Sequence, residues 1–217
     1  MGGRSALGGL IMDRRLKHWE MALILGVLAA AILGSWLGWE QQALAERVIR
    51  LHVIANSDSQ EDQELKLAVR DRVLAQVQEL YPEGAGLEEV KEALEGHLNL
   101  LAAAGRQAVE EAGRDQPVTA QLTDCWFPTK EYGGFALPAG NYTALRVTIG
   151  EGKGQNWWCV AFPPLCVGAA SEPADQVMEA GWFTPDQSAL ILGEDEGYIL
   201  KFKAMEWLGQ IQGFFQG

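Results

Sequence analysis

His52 and Cys159 are the side chains in this sequence that could be paired for bond-breaking chemistry, an imidazole base beside a thiol nucleophile. Such a pair needs hydrogen-bond contact and a neighbour that lowers the thiol pKa. Cys159 instead lies inside an apolar run, Asn156-Trp157-Trp158-Cys159-Val160-Ala161-Phe162, which stops on Pro163-Pro164. His52 alternates with Leu51 and Val53, the pattern of a structural residue on a strand, and His97 sits among Gly96, Leu98 and Asn99 on a helical stretch. A metal would need three or four converging ligands. The sequence holds no HExxH, no GxSxG and no paired CxxC. Gly150-Glu151-Gly152-Lys153-Gly154 resembles a phosphate loop only in composition, because no Ser or Thr follows the lysine and a strand comes next. It is a hairpin turn. These residues predict a chain with no catalytic, cofactor-binding or metal-ligating residues. Of the three cysteines, two can pair in an oxidising compartment, as Cys159 with Cys166 or as Cys125 with Cys166, leaving one thiol over.

Charge narrows the class of partner. The 217-residue chain carries a formal −12, so nucleic acid is not expected to bind, since phosphate contacts need a basic surface. From Met21 to Trp39 there are nineteen residues without a charge, preceded by Arg14, Arg15 and Lys17. That length suits a helix across a bilayer with its amino terminus in the cytoplasm. Ala43-Leu44-Ala45 then forms an A-x-A pattern of the kind signal peptidase cuts. Anchor and cleaved leader both stay open, and both place the rest of the chain outside the cytoplasm. A buried core helix is the bland alternative, disfavoured because the run is apolar all round. Residues 1–45 are therefore read as a basic flank with a signal peptide or membrane anchor, and 46–217 as the exported domain.

The domain begins with a strand over Val48–Ala55. Asn56-Ser57-Asp58-Ser59 follows as a turn and helix cap, with Glu61, Asp62 and Glu64 at the dipole-favoured end of the helix. Leu65, Val69, Val73, Val77 and Leu80 recur at helical spacing, and Pro82 ends the element. A second helix is expected over Leu87–Ala112, weakened by Gly96 and Gly105, and forms a hairpin with the first. The period then becomes two, giving strands from Val118 to Phe127, from Tyr142 to Ile149 and from Trp157 to Phe162. Gly168–Gly197 reads as a long loop with a short helix near Gln176, and Tyr198–Leu208 as a closing amphipathic helix. The fold class is α+β. A small mixed or antiparallel sheet of about four strands, the last three antiparallel, is covered on one face by the helical hairpin and by the C-terminal helix, behind an N-terminal signal or anchor helix.

Several blocks carry a resemblance. Leu51-His52-Val53-Ile54-Ala55-Asn56-Ser57-Asp58-Ser59 with Leu65-Lys66-Leu67-Ala68-Val69-Arg70-Asp71, Trp126-Phe127-Pro128-Thr129-Lys130 with Tyr132-Gly133, Leu137-Pro138-Ala139-Gly140-Asn141-Tyr142 and Ala144-Leu145-Arg146-Val147 resemble the stage II sporulation protein R family. The resemblance continues from Gly150 through Cys166. It implies a non-enzymatic signalling protein of endospore formers, made in the forespore and exported into the space between the two membranes. It further implies a partner, a membrane-embedded aspartic peptidase that processes the precursor of mother-cell sigma-E.

Aromatic residues and arginine concentrate binding energy at interfaces. Trp126, Phe127, Lys130, Tyr132, Arg146, Trp157 and Trp158 are the candidate partner surface, weighed against service in the core. The Asn56-Ser57-Asp58 turn is a second candidate, weighed against helix capping. Two rivals remain. A thiol or peptide hydrolase acting on peptide or cell-wall bonds needs His52 beside a thiol or carboxylate. A peptidoglycan-binding module needs an exposed aromatic shelf in a groove, so burial of both Trp157 and Trp158 would count against it.

Overall fold

The computed structural model of the chain describes residues 18–82, 84–132, 135–164 and 183–192. The chain divides into two compact units, Met1–Leu37 and Gly38–Gly217. In the first, helix α1 (His18–Ala45) begins, and Leu23, Leu25, Val27, Leu28 and Ile32 all stand exposed. Among the described residues no helix is long and apolar enough to cross a membrane.

The second unit holds the last turns of α1 and everything after them. Strand β1 (Ile49–Ile54) leads through the Asn56–Asp58 turn into α2 (Gln60–Glu79). Ser59 caps α2 by accepting a hydrogen bond from the Asp62 amide at 3.2 Å. The apolar stripe of α2 is buried at Leu65, Val69, Val73, Leu74 and Val77. The expected single second helix arrives as two, α3 (Leu87–Gly96) and α4 (Leu98–Glu111), broken where His97 leaves helical geometry. Gly96, which exposes backbone and costs the helix stability, marks that break. Gly105 serves another purpose. A Cβ there would meet Val118 at 2.8 Å and Val69 at 3.3 Å, so the glycine is what lets α4 close on α2 and on the start of β2.

The remaining strands are β2 (Val118–Phe127), β3 (Lys130–Tyr132), β4 (Phe135–Leu137), β5 (Gly140–Ile149) and β6 (Asn156–Phe162). The main sheet runs β2-β5-β1-β6, and β3 pairs with β4 as a separate hairpin. The last three sheet strands were expected as an antiparallel run of neighbours; β2 and β5 pair that way, and the placing of β6 beside β5 is corrected. β5 and β6 do not pair with each other; β1 lies between them, parallel to β5 and antiparallel to β6. The long α2–α4 excursion provides the crossover that a parallel pair requires.

Side chains alternate across the sheet and create two cores. On one face Leu51, Val53, Leu145, Val147 and Cys159 pack against the stripes of α2, α3 and α4. On the other, Phe127, Tyr142, Ala144 and Val160 are covered by Leu44 and Ala45 of α1, by Phe135 and Leu137 of β4, and by Phe183 and Ile191. Ile191 belongs to helix α5 (Pro185–Leu192), which stands where a loop was expected. Its signal was in the sequence. Thr184 and Gln187 exchange hydrogen bonds at 3.3 and 3.0 Å as a capping box, with Pro185 in the first helical position. The expected helices near Gln176 and over Tyr198–Leu208 lie outside the described residues.

The corner between α2 and the sheet is tied by Asp62. Its carboxylate accepts from the Ser57 hydroxyl at 2.6 Å, from Asn56 Nδ2 at 2.8 Å and from Gln116 Nε2 at 3.0 Å. These donors, Ser57 first, hold its pKa down at about 2. A depressed carboxylate pKa contributes stability that is full above the unfolded value, near 3.8, and is lost as pH falls through about 2. Asp62→Asn is therefore expected to lower the melting temperature at pH 7, where it also turns a donor toward donors. The gap from the parent chain should close between pH 4 and pH 2. Thermal melts across that window check it; a constant gap would remove Asp62 from the account.

Candidate functional site

Among the described residues the second sheet face is half covered and half open. Arg50, in the middle of β1, points into its covered half and is fully buried. Its Nη2 donates to Tyr132 Oη at 2.6 Å, and the tyrosine hydroxyl donates onward to the Trp158 carbonyl at 3.3 Å. The guanidinium carbon lies 4.1 Å from the centre of the Phe127 ring and 5.0 Å from that of Tyr142. No carboxylate answers this charge among the described residues, and Arg50 Nε and Nη1 have no hydrogen-bond partner. Burial raises the Tyr132 and Tyr142 hydroxyl pKa values, so both stay neutral donors.

The open half continues the same face. Register places Gln121, Arg146, His52 and Trp158 side by side across four strands. His52 Nε2 shares a hydrogen bond with Asn156 Oδ1 at 2.9 Å, while its Nδ1 is buried without a partner. Burial lowers the His52 pKa, and the charges of Arg146 and Arg50 press it down further against the Asn156 bond. The imidazole is therefore neutral near pH 7, beside two guanidinium groups that are not. Its ring centre lies 5.9 Å from Phe127 and 6.1 Å from Trp158. Arg146 Nε is likewise buried without a partner. Gln121 and Asn156 are exposed, and Arg146, His52 and Trp158 half-buried.

Of the candidate interface residues, Phe127, Tyr132, Arg146 and Trp158 come together here. Trp157 does not. Adjacent strand residues point to opposite faces, and Trp157 lies against the helical side with the Arg70 guanidinium 4.5 Å from its ring centre. The two tryptophans therefore face opposite sides of the sheet, and both are half-buried. Trp126 stands 45% exposed near the end of β2, and Lys130 is exposed on β3. The polar atoms of the Asn56-Ser57-Asp58 turn are engaged within the fold. Asn56 Oδ1 accepts from the Glu151 amide at 2.9 Å and Asp58 Oδ1 from the Gln155 amide at 2.8 Å, and Ser57 donates to Asp62.

Sequence reasoning missed Arg50. Its signal was a charge placed between Ile49 and Leu51 in an otherwise apolar strand, where a buried cation is rare unless paired.

The proposed thiol–imidazole pair does not form. Cys159 is disulfide-bonded and sits on the helical face, whereas His52 points to the other. Cys125 is a free thiol whose pKa burial raises, so no bridge runs through Cys125; Cys166 lies outside the described residues. Titration of the denatured, unreduced chain should find one reactive thiol, and three after reduction. Three without reduction would contradict the bridge.

Comparison with known proteins adds lineage to this geometry. The family model described as Stage II sporulation protein R matches residues 45–172. A protein of Bacillus subtilis (strain 168) named Stage II sporulation protein R is 38% identical over 185 aligned residues, covering 77% of this chain and 83% of that protein. No solved structure matches the chain.

Proposed function

Because the chain belongs to the stage II sporulation protein R family, we propose that it is a non-enzymatic signal of sporulation. Exported from the forespore, it acts by touching the membrane-embedded aspartic peptidase that processes the sigma-E precursor. The observation that carries this reading is the open face itself. It offers cationic and aromatic side chains in one row, with the imidazole bound to an amide instead of a nucleophile. Such a row can hold a partner, and the Cys159 thiol that a hydrolase would need faces the other side of the sheet.

The same reading favours retention of α1 over cleavage after Ala45. Leu44 is fully buried in the second core beside Phe127, Phe135, Leu137 and Ile191. Cutting after Ala45 would take that side chain away, at a cost of roughly 2–5 kcal/mol by analogy with large-to-small core changes. Intact-mass measurement of the chain from sporulating cells is expected to show α1 still attached; a mature terminus at Glu46 would overturn its retention.

For the signalling role, the purified full chain is added to membranes holding the peptidase and its precursor substrate. Cleavage that depends on the added chain is expected. Folded chain that produces no cleavage, or that cuts the precursor without the peptidase, would end this reading.

A further inference from the structure

This sheet face, covered and open halves together, carries more positive charge than the fold uses. Arg50, His52 and Arg146 are neighbours by register: Arg50 and His52 lie two apart on β1, and His52 stands opposite Arg146 on β5. Arg50 Nε and Nη1 and Arg146 Nε are donors without any partner, and His52 Nδ1, the lone-pair nitrogen of a neutral ring, has none either. The ion pairs among the described residues use Arg70, Arg72 and Lys153 and leave both sheet arginines out. This happens in a chain of net charge −12, where a carboxylate to neutralise them would have been easy to place. A buried guanidinium without a counter-charge is a standing electrostatic deficit. An anion arriving at Arg146 would meet a planar fork made for two oxygens, with the Arg50 charge behind it in a medium that screens poorly.

Resting on the signalling reading above, we propose that Arg146, with His52, Trp158 and Gln121 around it and Arg50 behind, receives a carboxylate-bearing peptide segment of the partner. Three observations favour a peptide side chain over other anions. The net negative charge repels polyanions and anionic lipid headgroups at long range, so attraction has to come from this patch at contact. A second copy of the chain is repelled for the same reason. And the cations are flanked by the half-buried Trp158 ring and by exposed amides of Gln121 and Asn156, which suit an apolar neighbour and a peptide backbone better than a free inorganic ion.

The test uses the full chain in a neutral detergent and isothermal titration calorimetry. The probes are the peptide acetyl-Leu-Glu-Leu-Glu-Leu-amide, its twin with glutamine for glutamate, and inorganic phosphate. The glutamate peptide is expected to bind saturably and at least tenfold more tightly than its twin, with phosphate failing to displace it at equal concentration. Arg146→Gln should lose that preference and Arg146→Lys should keep part of it. Gln121→Glu sets a carboxylate directly across from Arg146 on the neighbouring strand. It should fill the site from within and weaken the peptide about as much, without loss of melting temperature. Equal binding of both peptides, displacement by phosphate, or an unaffected Gln121→Glu chain would each overturn the proposal. In the cleavage assay, Gln121→Glu should cut peptidase activation at least tenfold. Full activation by a variant that has lost the peptide would overturn this assignment and leave the signalling role standing.

Discussion

Arg50→Ala is expected to destabilise the domain by roughly 3–5 kcal/mol, the range for emptying a large buried side chain. The alanine would leave a void under Phe127 and Tyr142 and take the donor away from Tyr132. Arg50→Met separates volume from charge. It refills most of the space with a flexible apolar chain, and replacing a buried charge by an apolar group of similar size is often neutral or stabilising. The methionine variant is therefore expected to melt within a few degrees of the parent, or above it, while activating the peptidase at least tenfold less. Denaturant unfolding of both variants, with the activation assay on the methionine one, checks the pair. A methionine variant as unstable as the alanine one would mean that the guanidinium holds the fold together by itself. One that activates fully would mean that the charge is not used.

Gly154→Ala should be nearly as damaging, from a change of one carbon. A Cβ at Gly154 would overlap the carbonyl oxygen of Ser57 and crowd the Ala55 side chain at 2.9 Å. A backbone oxygen cannot swing aside as a side chain can. The Gly154 amide also donates to the Ala55 carbonyl at 2.9 Å, so any retreat stretches that bond. Overpacking of this kind costs typically 1–3 kcal/mol, and here the displaced group also anchors the cap of α2. A drop of about 3 kcal/mol in unfolding free energy is expected. An alanine chain that melts with the parent would show that the turn around Ser57 can yield.

These two sites differ in how far the sequence announced them. The Gly150–Gly154 turn was legible from composition, but the reason its last residue must be glycine was not. That reason is Ser57, almost a hundred residues away, and only the folded chain brings the two together. Strands β1, β2, β5 and β6 and helix α2 were legible from period and caps, because each signal is local. The pairing of β1 with β5 was not, since hydrophobic alternation says which face a residue takes and nothing about its neighbour. The same limit explains the interface candidates. Counting aromatics found Phe127, Tyr132 and Trp158, yet also Trp157, which alternation sends to the helical side. Arg50 escaped because an arginine within a strand reads as an exposed face until its two ring neighbours are seen.

The place of β1 in the sheet has a consequence for how the chain comes into being. As the ribosome releases it, β1 emerges first among the strands, yet both its neighbours come late: Leu51 waits for Leu145 on one side and Cys159 on the other. Until then the apolar stripes of α2 and α4 have no sheet to lie on, and long-range pairing of this kind is slow. A nascent chain halted anywhere before Phe162 is a sticky intermediate, open to chaperones and proteases. Assembly is thus all or nothing and falls at the end of synthesis, so β1 and the helices wait without a finished sheet for as long as the chain is still being made.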